Sequence, residues 1–189
     1  MGNPMSIVLQ STGGGSVTIN EPNTASNFTQ ELPAVTGTLL SSGGGTTPAF
    51  FAYPPASNQS LTNGTWTKVT LSNTSWNVGT TYGYSTANSR FTAPVAGYYY
   101  IAGSAYFASS TSMTAARLAL YYNGSASFYG PFTPIATTDA ITTVTGMYQL
   151  AAGDYIELYA YTTGGTGQVI VQYSSYTYMQ GMFVRGNAT

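Results

Sequence analysis

The sequence contains no cysteine and no histidine, and charged side chains make up only 5% of its 189 residues. Without cysteine the chain can form neither disulfides nor thiolate metal sites, so its stability has to come from packing and association. Without histidine it lacks the most frequent general base of enzymes. Four basic residues and a net charge of −1 are too few to neutralise the phosphates of a nucleic acid, so we expect no nucleic-acid partner.

Carboxylates that could act together are equally scarce. Asp154 and Glu157 are the only acidic residues close in sequence, and a spacing of three places them on opposite sides of a strand. This arrangement does not suit the paired carboxylates of glycoside hydrolysis. We interpret Asp154 as a turn residue after Gly153, and we predict a protein that is not an enzyme and uses no cofactor.

Long hydrophobic runs are missing as well, since the longest apolar stretches fall far below the ~20 residues of a membrane helix. The N-terminus shows no basic stretch followed by an apolar core, so we expect neither membrane insertion nor a secretory signal. A hydrophobic content of 43% and an aromatic content of 14% exceed those of disordered chains. The composition therefore favours a β-protein with a surface of Ser, Thr, Asn, Gly and Tyr.

Turn residues divide the chain into three parts. Residues 1–40 contain short β-forming pieces between Gly and Pro turns, which are 7–10, 16–20, 28–32 and 37–40. So short a segment cannot build its own core, so we interpret it as a stalk or docking module that packs on copies of itself or on a larger partner. Residues 41–47 form a Gly/Ser/Thr linker.

Residues 48–189 form the third part, in which many short runs rich in Tyr, Thr, Val and Phe are separated by turn signals. This spacing predicts an all-β sandwich or jelly-roll head. One stretch, residues 113–120, has a helix-like pattern. We interpret it as a strand with its preceding loop.

Five short motifs occur in order between Pro48 and Arg185. They are Pro48-Ala49-Phe50; Tyr84 with Phe91-Thr92-Ala93-Pro94 and Gly97-Tyr98-Tyr99-Tyr100-Ile101; Leu120-Tyr121-Tyr122-Asn123-Gly124; Leu150-Ala151-Ala152-Gly153-Asp154-Tyr155-Ile156-Glu157-Leu158; and Met179-Gln180-Gly181-Met182-Phe183. In order and spacing they resemble the globular head of complement component 1q, whose ten-stranded-type jelly roll is shared with the tumour necrosis factor superfamily. Ile101 and Met179 stand where this family has aromatics, and Asn77 is shifted by two residues.

The resemblance implies core and turn roles for nine residues: Phe50, Phe91, Gly97, Tyr99, Gly124, Gly153, Asp154, Gly181 and Phe183. It also implies a homotrimer, because an inner sheet of this family meets two neighbours around a three-fold axis. A calcium site is known in the family, and in this chain it would rely on Asp139, backbone carbonyls and Asn side chains.

Strand parity supports the trimer independently. In the strand after Gly153, Ile156, Leu158 and Ala160 take the core face, and two further strands likewise have an aromatic or apolar second face. An antiparallel sheet normally leaves one face to water, so a second apolar face predicts a partner. The predicted interface residues, assigned to one inner sheet, are Tyr98, Tyr100, Tyr155, Glu157, Tyr159, Tyr161, Tyr178 and Met182. A buried Glu157 needs Arg185 or Lys68 as its partner, or a wet axial channel.

Ligand binding is expected at loops at the ends of the sandwich, namely residues 53–63, 109–114, 125–138 and 162–168. Tyrosine and tryptophan beside Asn and Thr suit sugars, since rings stack on apolar sugar faces while amides bond hydroxyls. Trp66 and Trp76 fit either the core or such a surface.

Two N-terminal segments, residues 16–22 and 31–40, resemble short repeats that precede receptor-binding heads in bacteriophage tail-fibre-type proteins. This resemblance implies a virion surface spike, made in the host cytoplasm, that docks on another virion protein through residues 1–40. We expect a role in host attachment as a tail fibre or fibre tip, with a host-surface glycan or another surface receptor as partner. A capsid decoration, cement or head-fibre protein and a secreted bacterial lectin or adhesin are the alternatives.

Overall fold

The computed structural model describes residues 6–10, 16–20, 47–78, 83–108, 113–135, 139–164, 169–171 and 173–186. The chain divides into two compact units, Met1–Leu39 and Leu40–Thr189. In the first unit, β1 (Ser6–Gln10) and β2 (Ser16–Asn20) pair as antiparallel strands. The predicted pieces 28–32 and 37–40, and most of the linker, lie outside the described residues.

The second unit is an antiparallel β-sandwich. Its strands are β3 (Ala49–Tyr53), β4 (Gln59–Ser60), β5 (Thr67–Lys68), β6 (Asn73–Val78), β7 (Gly83–Ser85), β8 (Arg90–Thr92), β9 (Gly97–Phe107), β10 (Ala115–Tyr122), β11 (Ser125–Tyr129), β12 (Thr133–Pro134), β13 (Ala140–Leu150), β14 (Tyr155–Thr163), β15 (Val169–Val171) and β16 (Tyr178–Arg185). The parts of the chain that the structure describes contain no helix that could span a membrane.

Two sheets make up this sandwich. The β9 sheet has the order β6-β3-β16-β9-β13, and β15 also pairs with β9 while β4 pairs with β15. The β14 sheet has the order β7-β8-β14-β10-β11, with β5 on β14 and β12 on β10. The predicted all-β jelly-roll class is confirmed, and the stretch 113–120 consists of a short loop, residues 113–114, followed by the first six residues of β10, as predicted.

Alternation of buried and exposed side chains builds the core between the two sheets, as the strict alternation along β13 shows. Phe50 of the β9 sheet stacks on Phe91 and Tyr84 of the β14 sheet, with ring centroids 4.7 and 5.1 Å apart. Tyr99 extends the cluster from Phe91 at 5.5 Å. Each buried ring contributes about 1.5–3 kcal/mol, so this cluster is a main link across the sandwich.

Close packing inside the β9 sheet depends on two glycines. A Cβ atom on Gly181 would lie 2.8 Å from Phe50 Cε1 and still closer to Ile101. A Cβ atom on Gly97 would overlap the ring of Phe183. Both positions therefore exclude larger side chains, because the neighbouring atoms belong to the packed interior.

The turn before β14 is held by Asp154. Its carboxylate accepts hydrogen bonds from the Ala151 amide at 2.8 Å, the Tyr122 hydroxyl at 2.9 Å and Asn123 Nδ2 at 2.8 Å. These donors, Asn123 foremost, lower the pKa of Asp154. Gly124, in the turn between β10 and β11, adopts a φ of +83°, and Gly153, in the turn before β14, adopts a φ of +93°. Glycine enters this region of backbone conformation without strain.

Asn77 contributes to the fold in spite of its shifted position. Its Nδ2 donates to the Tyr84 carbonyl at 2.8 Å, and its Oδ1 accepts from the Tyr84 amide at 3.0 Å. The side chain thus pairs with Tyr84 as a neighbouring strand would.

Candidate functional site

The predicted interface residues point outward, but they lie on two different sheets. Four of them belong to the β9 sheet, namely Tyr98, Tyr100, Tyr178 and Met182. The other four belong to β14 in the opposite sheet, namely Tyr155, Glu157, Tyr159 and Tyr161. The expectation that all three strands share one inner sheet is therefore wrong. Parity identifies which residues of a strand face away from the core, but it does not say which sheet the strand joins.

The outer face of the β9 sheet carries several large apolar side chains beside the uncharged polar residues Thr145 and Gln180. Tyr100 is 37% exposed and lies opposite two methionines, Met147 on β13 and Met182 on β16, which are 51% and 53% exposed. On the neighbouring strands, Phe51 stacks on Tyr178 at 5.2 Å and meets Trp76 at 6.2 Å. We call these six side chains the apolar face: Phe51, Trp76, Tyr100, Met147, Tyr178 and Met182.

Charge is nearly absent from this side of the sheet. The outward positions of β9, β13 and β16 carry no charged side chain before Arg185. Arg185 lies at the end of β16 with its guanidinium 4.9 Å from the centre of the Tyr98 ring. An uncharged face with large exposed apolar groups is typical of a surface that a partner covers.

Six rings cluster on the outer side of the β14 sheet. Trp66 lies 5.2 Å from Tyr161, 5.7 Å from Tyr129 and 6.1 Å from Tyr121. Tyr121 in turn stacks on Tyr159 at 3.9 Å, and Phe132 meets Tyr161 at 6.3 Å. We call this cluster the aromatic platform: Trp66, Tyr121, Tyr129, Phe132, Tyr159 and Tyr161. These six rings come from β10, β11 and β14, and from the residues that precede β5 and β12.

Charged groups border the platform. The Arg117 guanidinium lies 4.4 Å above the Tyr129 ring, and its Nε donates to the Gly130 carbonyl at 2.9 Å. Arg90 lies opposite Glu157 in the strand register, with its guanidinium 4.5 Å from the centre of the Tyr155 ring. The platform therefore combines rings with fixed cations.

Glu157 is only 6% exposed, and its Oε1 lies 3.1 Å from Lys68 Nζ. Lys68 was one of its two predicted partners, whereas Arg185 belongs to the other sheet. Lys68 also donates to the Asn88 carbonyl at 3.0 Å. This ion pair supplies the counter-charge that a buried carboxylate requires.

The sequence analysis did not identify several members of the apolar face and of the aromatic platform. Trp66 and Trp76, which fitted either the core or the surface, lie on the outer faces of the two sheets. Met147 could have been found from the alternation of β13, where exposed and buried residues follow each other strictly. Tyr129 falls within the predicted ligand loop 125–138, whereas Trp66 had no such signal, because its neighbours on the platform come from distant parts of the chain.

Of the loops predicted to bind ligands, residues 125–138 contribute Tyr129 and Phe132 to the aromatic platform. Residues 53–63 contribute to a groove of about 190 Å³, below the ~300 Å³ of typical ligand pockets. It is lined by Pro54, Pro55, Ser57, Asn58, Gln59, Thr70 and Ile170. Residues 109–112, 136–138 and 165–168 fall outside the described residues.

The calcium site that the resemblance implies, at Asp139 with backbone carbonyls and Asn side chains, stays a prediction. No group of three or more acidic, Cys or His side chains comes together among the described residues. The expected ligand Asp139 accepts a hydrogen bond from the Tyr106 hydroxyl.

No protein-family model matches the chain, and a search of curated proteins finds no match. Among solved structures, an Eiger TNF from S. frugiperda aligns with a TM-score of 0.56 at 9% identity, over 76% of this chain and 96% of that one. Murine APRIL at pH 5.0 aligns with a TM-score of 0.54 at 12% identity, over 73% and 99%. The globular domain of zebrafish complement 1qA aligns with a TM-score of 0.52 at 15% identity, over 74% and 99%. At these identities the similarity shows the jelly-roll fold.

Proposed function

We propose that the protein is a non-enzymatic homotrimer that serves as a structural and recognition component of a phage virion surface. The observation that carries the trimer is the apolar face, where three neighbouring side chains, Tyr100, Met147 and Met182, are each more than a third exposed in the single chain. Covering such a face removes apolar area from water at about 25 cal/mol per Å². A second and third copy fit this role because the arrangement in the resembling family is three-fold.

The virion role is supported by the sequence of the N-terminal unit. Residues 16–22 and 31–40 resemble repeats ahead of phage receptor-binding heads, and β1 and β2 form a hairpin within this unit. A low-charge surface of Ser, Thr, Asn and Tyr has little that acid, base or salt could titrate or screen, which suits an extracellular particle.

Host attachment as a tail fibre or fibre tip is the role we favour, with residues 1–40 as the docking module on another virion protein. A capsid decoration or head-fibre protein is the second candidate. A secreted lectin or adhesin would use the same head without a particle.

Two measurements test the proposal. Light scattering of the full chain is expected to give three times the chain mass of 19.8 kDa. Gold-labelled antibodies against the head are expected to mark tail tips on purified particles, whereas capsid labelling would favour decoration. A monomer in solution together with unlabelled particles would contradict the proposal.

A further inference from the structure

The aromatic platform has a layout that neither core packing nor self-association requires. Tyr129 and Phe132 are each 50% exposed, although they belong to a contiguous cluster of six rings. Trp66 lies in the middle, within 6.1 Å of three tyrosine rings. A cluster of partly exposed rings on a rigid sheet presents flat apolar surface to an external molecule.

The aromatic platform differs from the apolar face in the number of charged side chains that lie beside it. Four of the nine charged side chains of the chain, three cations and one carboxylate, lie on the outer side of the β14 sheet: Lys68, Arg90, Arg117 and Glu157. The centres of protein–protein interfaces are enriched in arginine but depleted of Lys and Glu, and the outer side of the β14 sheet carries Lys68 and Glu157. The apolar face meets that condition and the platform does not, so the platform suits a ligand with many polar groups.

Arg117 is held in place for such a ligand. Its Nε donates to the Gly130 carbonyl and its guanidinium carbon lies 4.4 Å from the centre of the Tyr129 ring, which fixes the guanidinium beside the rings. A guanidinium carries five N–H donors, so the terminal nitrogens can donate to hydroxyl or carboxylate oxygens. Because the group is already ordered, little side-chain entropy is lost on binding.

We propose that the aromatic platform is a glycan-binding site. The C–H faces of sugar rings would stack on Trp66 and Tyr129, and the sugar hydroxyls would accept hydrogen bonds from Arg117. The three cations against one carboxylate favour sugars that carry an acidic group over neutral ones. This inference rests on the proposed attachment function and places recognition on a sheet face, to which one predicted loop, residues 125–138, contributes Tyr129 and Phe132.

The first experiment relies on the fact that the chain contains two tryptophans, Trp66 and Trp76. In a Trp76→Phe variant Trp66 is the only tryptophan, so its fluorescence reports on the platform alone. The full-length variant is screened on an array of bacterial surface polysaccharides and of oligosaccharides ending in glucose, galactose, N-acetylglucosamine or glucuronic acid. Binding glycans are then titrated in solution, and they are expected to change the Trp66 emission.

Matched variants locate the site. Tyr129→Ala and Arg117→Gln are each expected to weaken binding at least about fivefold, as truncation of a central contact does. Tyr173→Ala is the control, because Tyr173 is 59% exposed and contacts Tyr106 and Tyr176 away from the platform. The control is expected to bind within about twofold of the parent.

Each further outcome overturns either this inference or the proposed function. The inference is wrong if no glycan binds, if Tyr129→Ala binds as well as the parent, or if Tyr173→Ala loses binding. It is also wrong if the platform variants lose the trimer mass, since the platform would then be a subunit interface. A monomer whose glycan binding depends on Tyr129 would instead retain the inference and reject the proposed trimer.

Discussion

A carboxylate introduced at Met182 tests whether the apolar face is a subunit interface. Met182 is 53% exposed in the single chain, so the side chain of Met182→Glu reaches water and changes the free energy of unfolding by less than about 0.5 kcal/mol. In a trimer the same carboxylate is enclosed beside Tyr100, and no cation lies opposite it on the neighbouring strands. We therefore expect a folded variant that no longer assembles.

The size of the expected loss of association follows from the cost of removing the new carboxylate from water. Burial of an unpaired carboxylate costs about 3–5 kcal/mol for each chain, which weakens association by more than about two orders of magnitude. Sedimentation velocity over a range of concentrations should show the parent at three times 19.8 kDa and the variant at the mass of one chain. Val95→Glu is the control, because Val95 is 46% exposed in the turn before β9 and should leave the trimer intact. A Met182→Glu variant that sediments as the parent does would refute the assignment of this face.

Three further outcomes concern stability. Gly181→Ala should lower the free energy of unfolding in urea by about 1–3 kcal/mol, because the new methyl overlaps Ile101 and Phe50; a change below about 0.5 kcal/mol would contradict the packing described. Hydrogen bonds lower the pKa of Asp154 in the fold, so its contribution is present above the ordinary value of 3.8 and is lost as the pH falls below it. Thermal melting of Asp154→Asn and the parent should therefore converge towards about pH 2, and a constant difference would exclude this linkage. Burial raises the pKa of Tyr84, and raises that of Tyr148 to about 12, so stability should be level below pH 10 and fall as the pH rises towards 12, together with the rise of tyrosinate absorbance. Tyrosinate that formed in the folded protein near pH 10 at every tyrosine would refute this expectation.

The fold was predictable because short-range patterns carry most of it. The alternation in β14 correctly places Ile156, Leu158 and Ala160 in the core, where each is at most 1% exposed. The Asn-Gly pair after β10 predicts a tight hairpin, and both residues adopt positive φ there. Such signals lie within a few residues of one another, so a single sequence contains them in full.

The sheet assignment was not predictable in the same way. The strands β9 and β14 both have tyrosines on their outward parity, and nothing within either strand says which neighbours it will pair with. Pairing depends on partners far along the chain, such as β16 for β9 and β10 for β14. The sequence therefore identifies the outward residues of each strand correctly. The prediction of a single interface was wrong because these residues belong to the outer faces of two different sheets.

The platform shows the same limit for a binding site. Sugar-suited chemistry was expected in the end loops, where turn residues accumulate. Tyr129 does fall within the predicted loop 125–138, but the structure gathers it with Trp66 and Tyr161 on one sheet face. Their proximity is a product of three strand pairings, β5 with β14, β14 with β10 and β10 with β11, so no local motif could indicate it.

The outer faces of the two sheets differ in charge, and this difference suits them to different partners. On the β9 sheet, the outward positions of β9, β13 and β16 carry no charged side chain before Arg185 at the strand end, which permits a dry contact over the apolar face. On the β14 sheet, the buried Glu157 retains Lys68, and this pair would become costly if a partner subunit removed its remaining solvent. The sheet that pairs its charges beside exposed rings is therefore the poorer surface for association. It is the better one for a hydrated ligand, because a sugar can replace the water on Arg117 without leaving any charge unpaired.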